Sequence, residues 1–105
     1  MAAALAGVFA LGLAGSAMAE TQWQKDHPRR TQVNNRLKNQ NKRIQHKVAD
    51  GQMTKAQAAT LHREDRQIRQ EERDMASQDG GHITKQEQRT LNQQENQVSR
   101  QIHNE

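Results

Sequence analysis

From Arg29 onward the apolar residues recur at intervals of four and seven, not two. Val33, Leu37, Ile44 and Val48 share one face of a helix at those spacings, because a turn takes 3.6 residues. Leu61, Ile68 and Met75 repeat at strict sevens, and Leu91, Val98 and Ile102 form a third stripe. Pro28 suits the first turn of a helix, and no proline follows it. The pattern predicts helices over 29–49, 54–77 and 84–103. About three residues around Asp50-Gly51 separate the first two, which makes them an antiparallel hairpin. The stripes are narrow, with Asp65 and Glu72 standing between apolar positions, as in the thin seam of a coiled coil. The expected fold is all-α: two to three long antiparallel amphipathic helices, as a helical hairpin or a thin three-helix array.

The chain also repeats itself. Residues 51–68 return at 81–98, an offset of 81 − 51 = 30. Gly51-Gln52-Met53-Thr54-Lys55-Ala56-Gln57 answers to Gly81-His82-Ile83-Thr84-Lys85-Gln86-Glu87, and Leu61, Asp65 and Ile68 answer to Leu91, Glu95 and Val98. Two copies in register mark a repeated supersecondary unit. In each copy a glycine closes one helix, and a threonine then caps the next. Thr54 with Gln57, and Thr84 with Glu87, have the spacing of a capping box, in which each partner's side chain satisfies the other's backbone N–H. Met53 stands where a hydrophobic staple begins, with Ala58 as its partner; Gln88 occupies the corresponding place after Ile83.

The first 19 residues follow another logic. Met1–Ala19 carries no charge and ends Gly15-Ser16-Ala17-Met18-Ala19, with small residues at the −3 and −1 positions before Glu20. This is the pattern of a cleaved export signal, too short and too rich in Ala and Gly for a stable membrane span. The domain organisation expected is a signal peptide over 1–19, a flexible arm over 20–28 and a helical domain over 29–105. The location that follows is periplasmic or secreted. With no cysteine in the chain, neither a disulfide nor a lipid-bearing cysteine is available after export.

Composition sharpens the picture. Of the apolar residues, 15 lie in 1–19, which leaves 18 for the other 105 − 19 = 86 positions, only ten of them Ile, Leu or Val. Below about 20% of large aliphatic residues a chain builds little ordinary core, so an enzyme with a deep pocket is an unsuitable reading. Stability is expected to be marginal in the monomer, or shared across the seam of a homodimer. Charge is uneven. Thr21 to Ala49 holds eight Lys and Arg against one acid, Asp26. That basic first helix would attract anionic lipid, nucleic acid or acidic protein. Nucleic acid fits poorly, since the exported chain offers Trp23 alone for base stacking.

No constellation for catalysis emerges. The five histidines (His27, His46, His62, His82 and His103) are scattered without a ligand pair on one face, and the three serines lack a nucleophile elbow. The expectation is no enzyme, no cofactor and no metal site. The Gly51 and Gly81 turns have the outline of an EF-hand exit, with Gln57 and Glu87 six residues after the glycine. The remaining ligand positions hold too few carboxylates for a hard cation.

The paired motifs Met53-Thr54-x-x-Gln57 and Ile83-Thr84-x-x-Glu87 resemble the Leu-Thr-x-x-Gln motif found twice in the Spy and CpxP family of periplasmic proteins. The chain as a whole resembles the short exported helical proteins of Gram-negative bacteria. The family resemblance implies a thin helical cradle that holds unfolded clients without ATP, or an inhibitor of an envelope stress sensor. The interaction face expected on this reading comprises Arg36, Leu37, Lys42, Arg43 and Ile44 on the first helix, with Leu61, Ile68, Leu91 and Val98. Its partner would be a protein or an unfolded client. The competing expectations are a cation binder built on the two turns and a structural, envelope-associated protein.

Overall fold

A computed structural model of the protein describes residues 20–105. They form four helices: α1 (Gln22–Asp26), α2 (Pro28–Ala49), α3 (Lys55–Gln78) and α4 (Lys85–Asn104). The described residues are all-helical, with no strand among them. The expected signal peptide, 1–19, lies outside the described residues.

Each long helix packs on the other two. The α2–α3 and α3–α4 turns reverse the chain, so α2 and α4 run parallel. Their contacts climb in step: Gln88 Nε2 donates to Gln32, Arg36 to Asn96, Arg43 to Ser99 and Lys47 to the His103 carbonyl. The apolar stripes meet between them. Val33, Leu37, Ile44, Leu61, Ile68, Leu91, Val98 and Ile102 are each 4% exposed or less, and Met53 and Ile83 plug the two turn ends. One inward position differs from the strict sevens: Ala76 is buried, whereas Met75 is only partly covered. A seven-residue repeat drifts by about 20° per heptad on a 3.6-residue helix, which carries position 75 toward the edge and brings 76 inward.

The capping boxes form as the repeat predicts. Thr54 Oγ1 accepts from Gln57 N at 3.0 Å while Thr54 N donates to Gln57 Oε1 at 2.8 Å. Thr84 and Glu87 reproduce both bonds. At the end of α2, Gly51 takes φ +76°, and the bonds Gln52 N to Lys47 O and Gly51 N to Val48 O complete a Schellman closure that a side chain at this φ would strain.

The segment 20–28, expected as a flexible arm, instead carries α1, so the bundle has a fourth, short helix beyond the two or three anticipated. Thr21 and Gln24 form a third capping box, and Thr31 Oγ1 donates to the Gln24 carbonyl at 3.1 Å. The Trp23, His27 and His82 rings stack at centroid distances of 4.3 and 4.6 Å, and the Arg30 guanidinium lies 4.9 Å from the Trp23 ring centre. These contacts pin α1 across α2 and the α3–α4 turn.

Candidate functional site

The seam between the helices is not apolar throughout. Gln40 on α2, Asp65 on α3 and Glu95 on α4 are 3%, 2% and 0% exposed, and interrupt the core midway along the bundle. Periodicity places them there: each stands three or four residues from a core residue on either side, where only an inward side chain fits. Gln40 Nε2 donates to the Glu95 backbone carbonyl at 2.7 Å. Both carboxylate oxygens of Asp65 are buried without a hydrogen-bond partner, as are those of Glu95 and the Gln40 amide oxygen. Arg36 Nε approaches Glu95 Oε1 at 3.7 Å from the rim, an ion-pair distance beyond hydrogen-bonding range.

Burial dominates the chemistry of this layer, because an ionised carboxylate loses its hydration there. Burial, reinforced by the neighbouring Glu64 and partly offset by Arg69, pushes Asp65 up to about 7. Glu95 is pushed up to about 8 by burial, with Arg36 opposing and Asp65 adding to the rise. The two acids thus share one layer, and the charge of Asp65 disfavours ionisation of Glu95. Toward the α1 end a third buried acid, Glu72, is 0% exposed, and there a partner is supplied. Arg30 Nε bonds Glu72 Oε2, and its Nη1 donates to the Gly81 carbonyl at 3.0 Å.

On the outside, α2 and α3 flank a groove of about 410 Å³ with Leu37, Asn41 and Asp65 in its wall and Arg66, Arg69 and Arg73 along its edge. Among the described residues none of these three arginines has a carboxylate within 4.0 Å; the ion pairs found are Arg30–Glu72 and Arg36–Glu95. His62 Nδ1–H donates to Asn41 Oδ1 at 2.8 Å beside the groove.

The residues expected to form an interaction face separate into two sets. Leu37, Ile44, Leu61, Ile68, Leu91 and Val98 are core, and a partner reaches them only where the helices part. Arg36 and Arg43 are fastened to α4 through Asn96, Glu95 and Ser99, whereas Lys42 is exposed. Trp23, at 43%, is the one exposed large apolar side chain among the described residues. At the two glycine turns, Gln57 Oε1 and Glu87 Oε1 are each engaged by a capping-box N–H. Among the described residues no cluster of three or more His, Cys, Asp or Glu could hold a metal ion, and no helix is long and apolar enough to cross a membrane.

The chain matches no family model, no curated protein and no solved structure. The site is therefore read from its own chemistry. Sequence reasoning noticed Asp65 as an interruption of the stripe and Glu95 only as its counterpart in the repeat, and passed over Gln40. The available signal was the position they share in the helical period, which leaves an acid or an amide no outward face.

Proposed function

We propose that the protein is a non-enzymatic, exported helical interaction protein with a chaperone-like or envelope stress-adaptor role, acting through its seam when the helices separate. The observation that carries this reading is the polar layer of Gln40, Asp65 and Glu95, whose carboxylates meet no hydrogen-bond donor inside the core. A seam interrupted by unpartnered acids closes with less free energy than an apolar one, because each acid gives up water or holds a proton to stay inside. Parting the helices exposes Leu37, Ile44, Leu61, Ile68, Leu91 and Val98 together, a continuous apolar strip suited to an unfolded client. Basic side chains such as Lys42 on the exposed side of α2 add long-range attraction for acidic segments. The Thr-x-x-Gln and Thr-x-x-Glu boxes keep each helix intact while the bundle opens, which is the use the resemblance to the Spy and CpxP motif suggests.

The test is light scattering by a chemically unfolded substrate protein diluted into buffer with and without this protein. Substoichiometric to equimolar amounts should slow aggregation, and added salt should weaken the effect. Lys42→Glu should reduce it without loss of helicity. Arg36→Glu and Arg43→Glu should also lower stability, because both side chains fasten α2 to α4. Unchanged aggregation at several-fold molar excess would remove the reading.

A further inference from the structure

The groove between α2 and α3 has a feature that client binding does not use. Arg66, Arg69 and Arg73 stand at i, i+3 and i+7 of one helix, so their guanidinium groups line one edge over about 10 Å at 1.5 Å rise per residue. None has an acidic partner within 4.0 Å among the described residues. In a chain with 12 acids this leaves three adjacent fork-shaped donors unspent, in the geometry that oxyanions accept. Asn41 adds a polar side chain from the α2 wall, and Leu37 closes the bottom. Asp65 lies in the same wall, 2% exposed and with both oxygens unpartnered.

We propose that the α2–α3 groove binds a phosphate or sulfate group on Arg66, Arg69 and Arg73, and that Asp65 behind them makes this binding tighter when it carries a proton. An anion seated on the arginines meets repulsion from an ionised Asp65 and none from a neutral one. By linkage, the bound anion must in turn favour the protonated acid. The charged groups acting on Asp65 are Glu64 and Arg69 along α3 and Glu95 from α4, and Asn41 of α2 and Arg66 of α3 line the same groove. His62 is hydrogen-bonded to Asn41 beside the groove, so the test separates its contribution from that of Asp65.

The probe is sulfate, which stays fully ionised across the range, titrated into the isotopically labelled protein at constant ionic strength and followed by amide chemical shifts. Saturable shifts centred on Asn41 and the 66–73 turns are expected. Affinity should be roughly tenfold tighter at pH 5.5 than at pH 8.5, the equivalent of one pKa unit of coupling. Arg69→Gln should weaken binding several-fold with helicity retained. Asp65→Asn should keep binding and abolish its pH dependence, and His62→Gln should leave that dependence in place. Phosphatidylglycerol vesicles form the second arm. Co-sedimentation with the same Arg69 and Asp65 dependence, in the absence of saturable sulfate shifts, assigns the group to a lipid headgroup, and saturable sulfate shifts assign it to a free ion. Shifts that rise linearly over every basic face, or a pH dependence that survives Asp65→Asn, would overturn the proposal.

Discussion

Replacing Glu95 by glutamine should stabilise this protein at neutral pH. Glu95 is fully buried, its carboxylate oxygens make no hydrogen bond, and its nearest cation, Arg36, stands 3.7 Å away at the rim. Burial raises the folded-state value from an ordinary 4.5 to about 8, so between those limits the folded chain binds more protons than the unfolded one. The sign follows from linkage: stability is greatest below about 4.5, falls as pH rises through the window, and levels above about 8. Each pH unit inside the window costs at most about 1.4 kcal/mol. Solvent reaching the layer and the Arg36 charge both reduce that cost, which leaves about 1–2 kcal/mol at pH 7 for an amide to recover. In a domain of this size that is roughly 4–16 °C in Tm. Thermal unfolding followed by circular dichroism at half-unit steps from pH 4.5 to 8.5 is the assay. The parent protein should lose Tm across the range, Glu95→Gln should lose less, and the two curves should meet near pH 4.5. A variant no more stable than the parent at pH 8 would refute the reasoning, because the ion pair with Arg36 would then outweigh the cost of burial.

Thr54→Ala and Thr84→Ala should each cost about 1 kcal/mol, measured by urea unfolding, whereas Thr60→Ala, exposed in the second turn of α3, should be near neutral. Thr21→Ala should leave global unfolding nearly unchanged but shift Trp23 fluorescence, since its capping box holds α1 alone. Leu91→Ala should remove about 2–5 kcal/mol and leave a molecule with little cooperative unfolding, because Leu91 is 0% exposed. Met75→Ala, at the edge of the seam, should cost well under half as much in the same measurement.

How much was legible in the sequence differs by feature. The three long helices could be read to within a residue at each end, because each stripe is bounded by a local signal: Pro28 at the start of α2, the Thr54 and Thr84 boxes at the starts of α3 and α4, and glycines after α2 and α3. Helix α1 was missed although Thr21-x-x-Gln24 repeats the spacing of Thr54-x-x-Gln57; five residues carry no periodicity, and the helix is held by a Trp23–His27–His82 stack that joins residues 55 positions apart (82 − 27). Leu37, Ile44, Leu61, Ile68, Leu91 and Val98 were read as a face for partners, when a third helix was available to cover them. Whether an amphipathic stripe meets its own chain or another depends on how many helices close around it, which no single stripe records. The carboxylate layer follows from the same closure. Asp65 and Glu95 lie 30 residues apart and come together only because α4 returns along α3.

The reading of the seam as both weakly closed and functional is tested most directly by measuring suppression of substrate aggregation for Glu95→Gln beside the parent protein at pH 7.5. If clients bind the parted seam, the variant should be the more stable molecule and the poorer suppressor of aggregation, by the same several-fold factor with which opening has become rarer. A variant that is more stable and suppresses aggregation equally well would show that clients bind the closed surface, and would contradict the account.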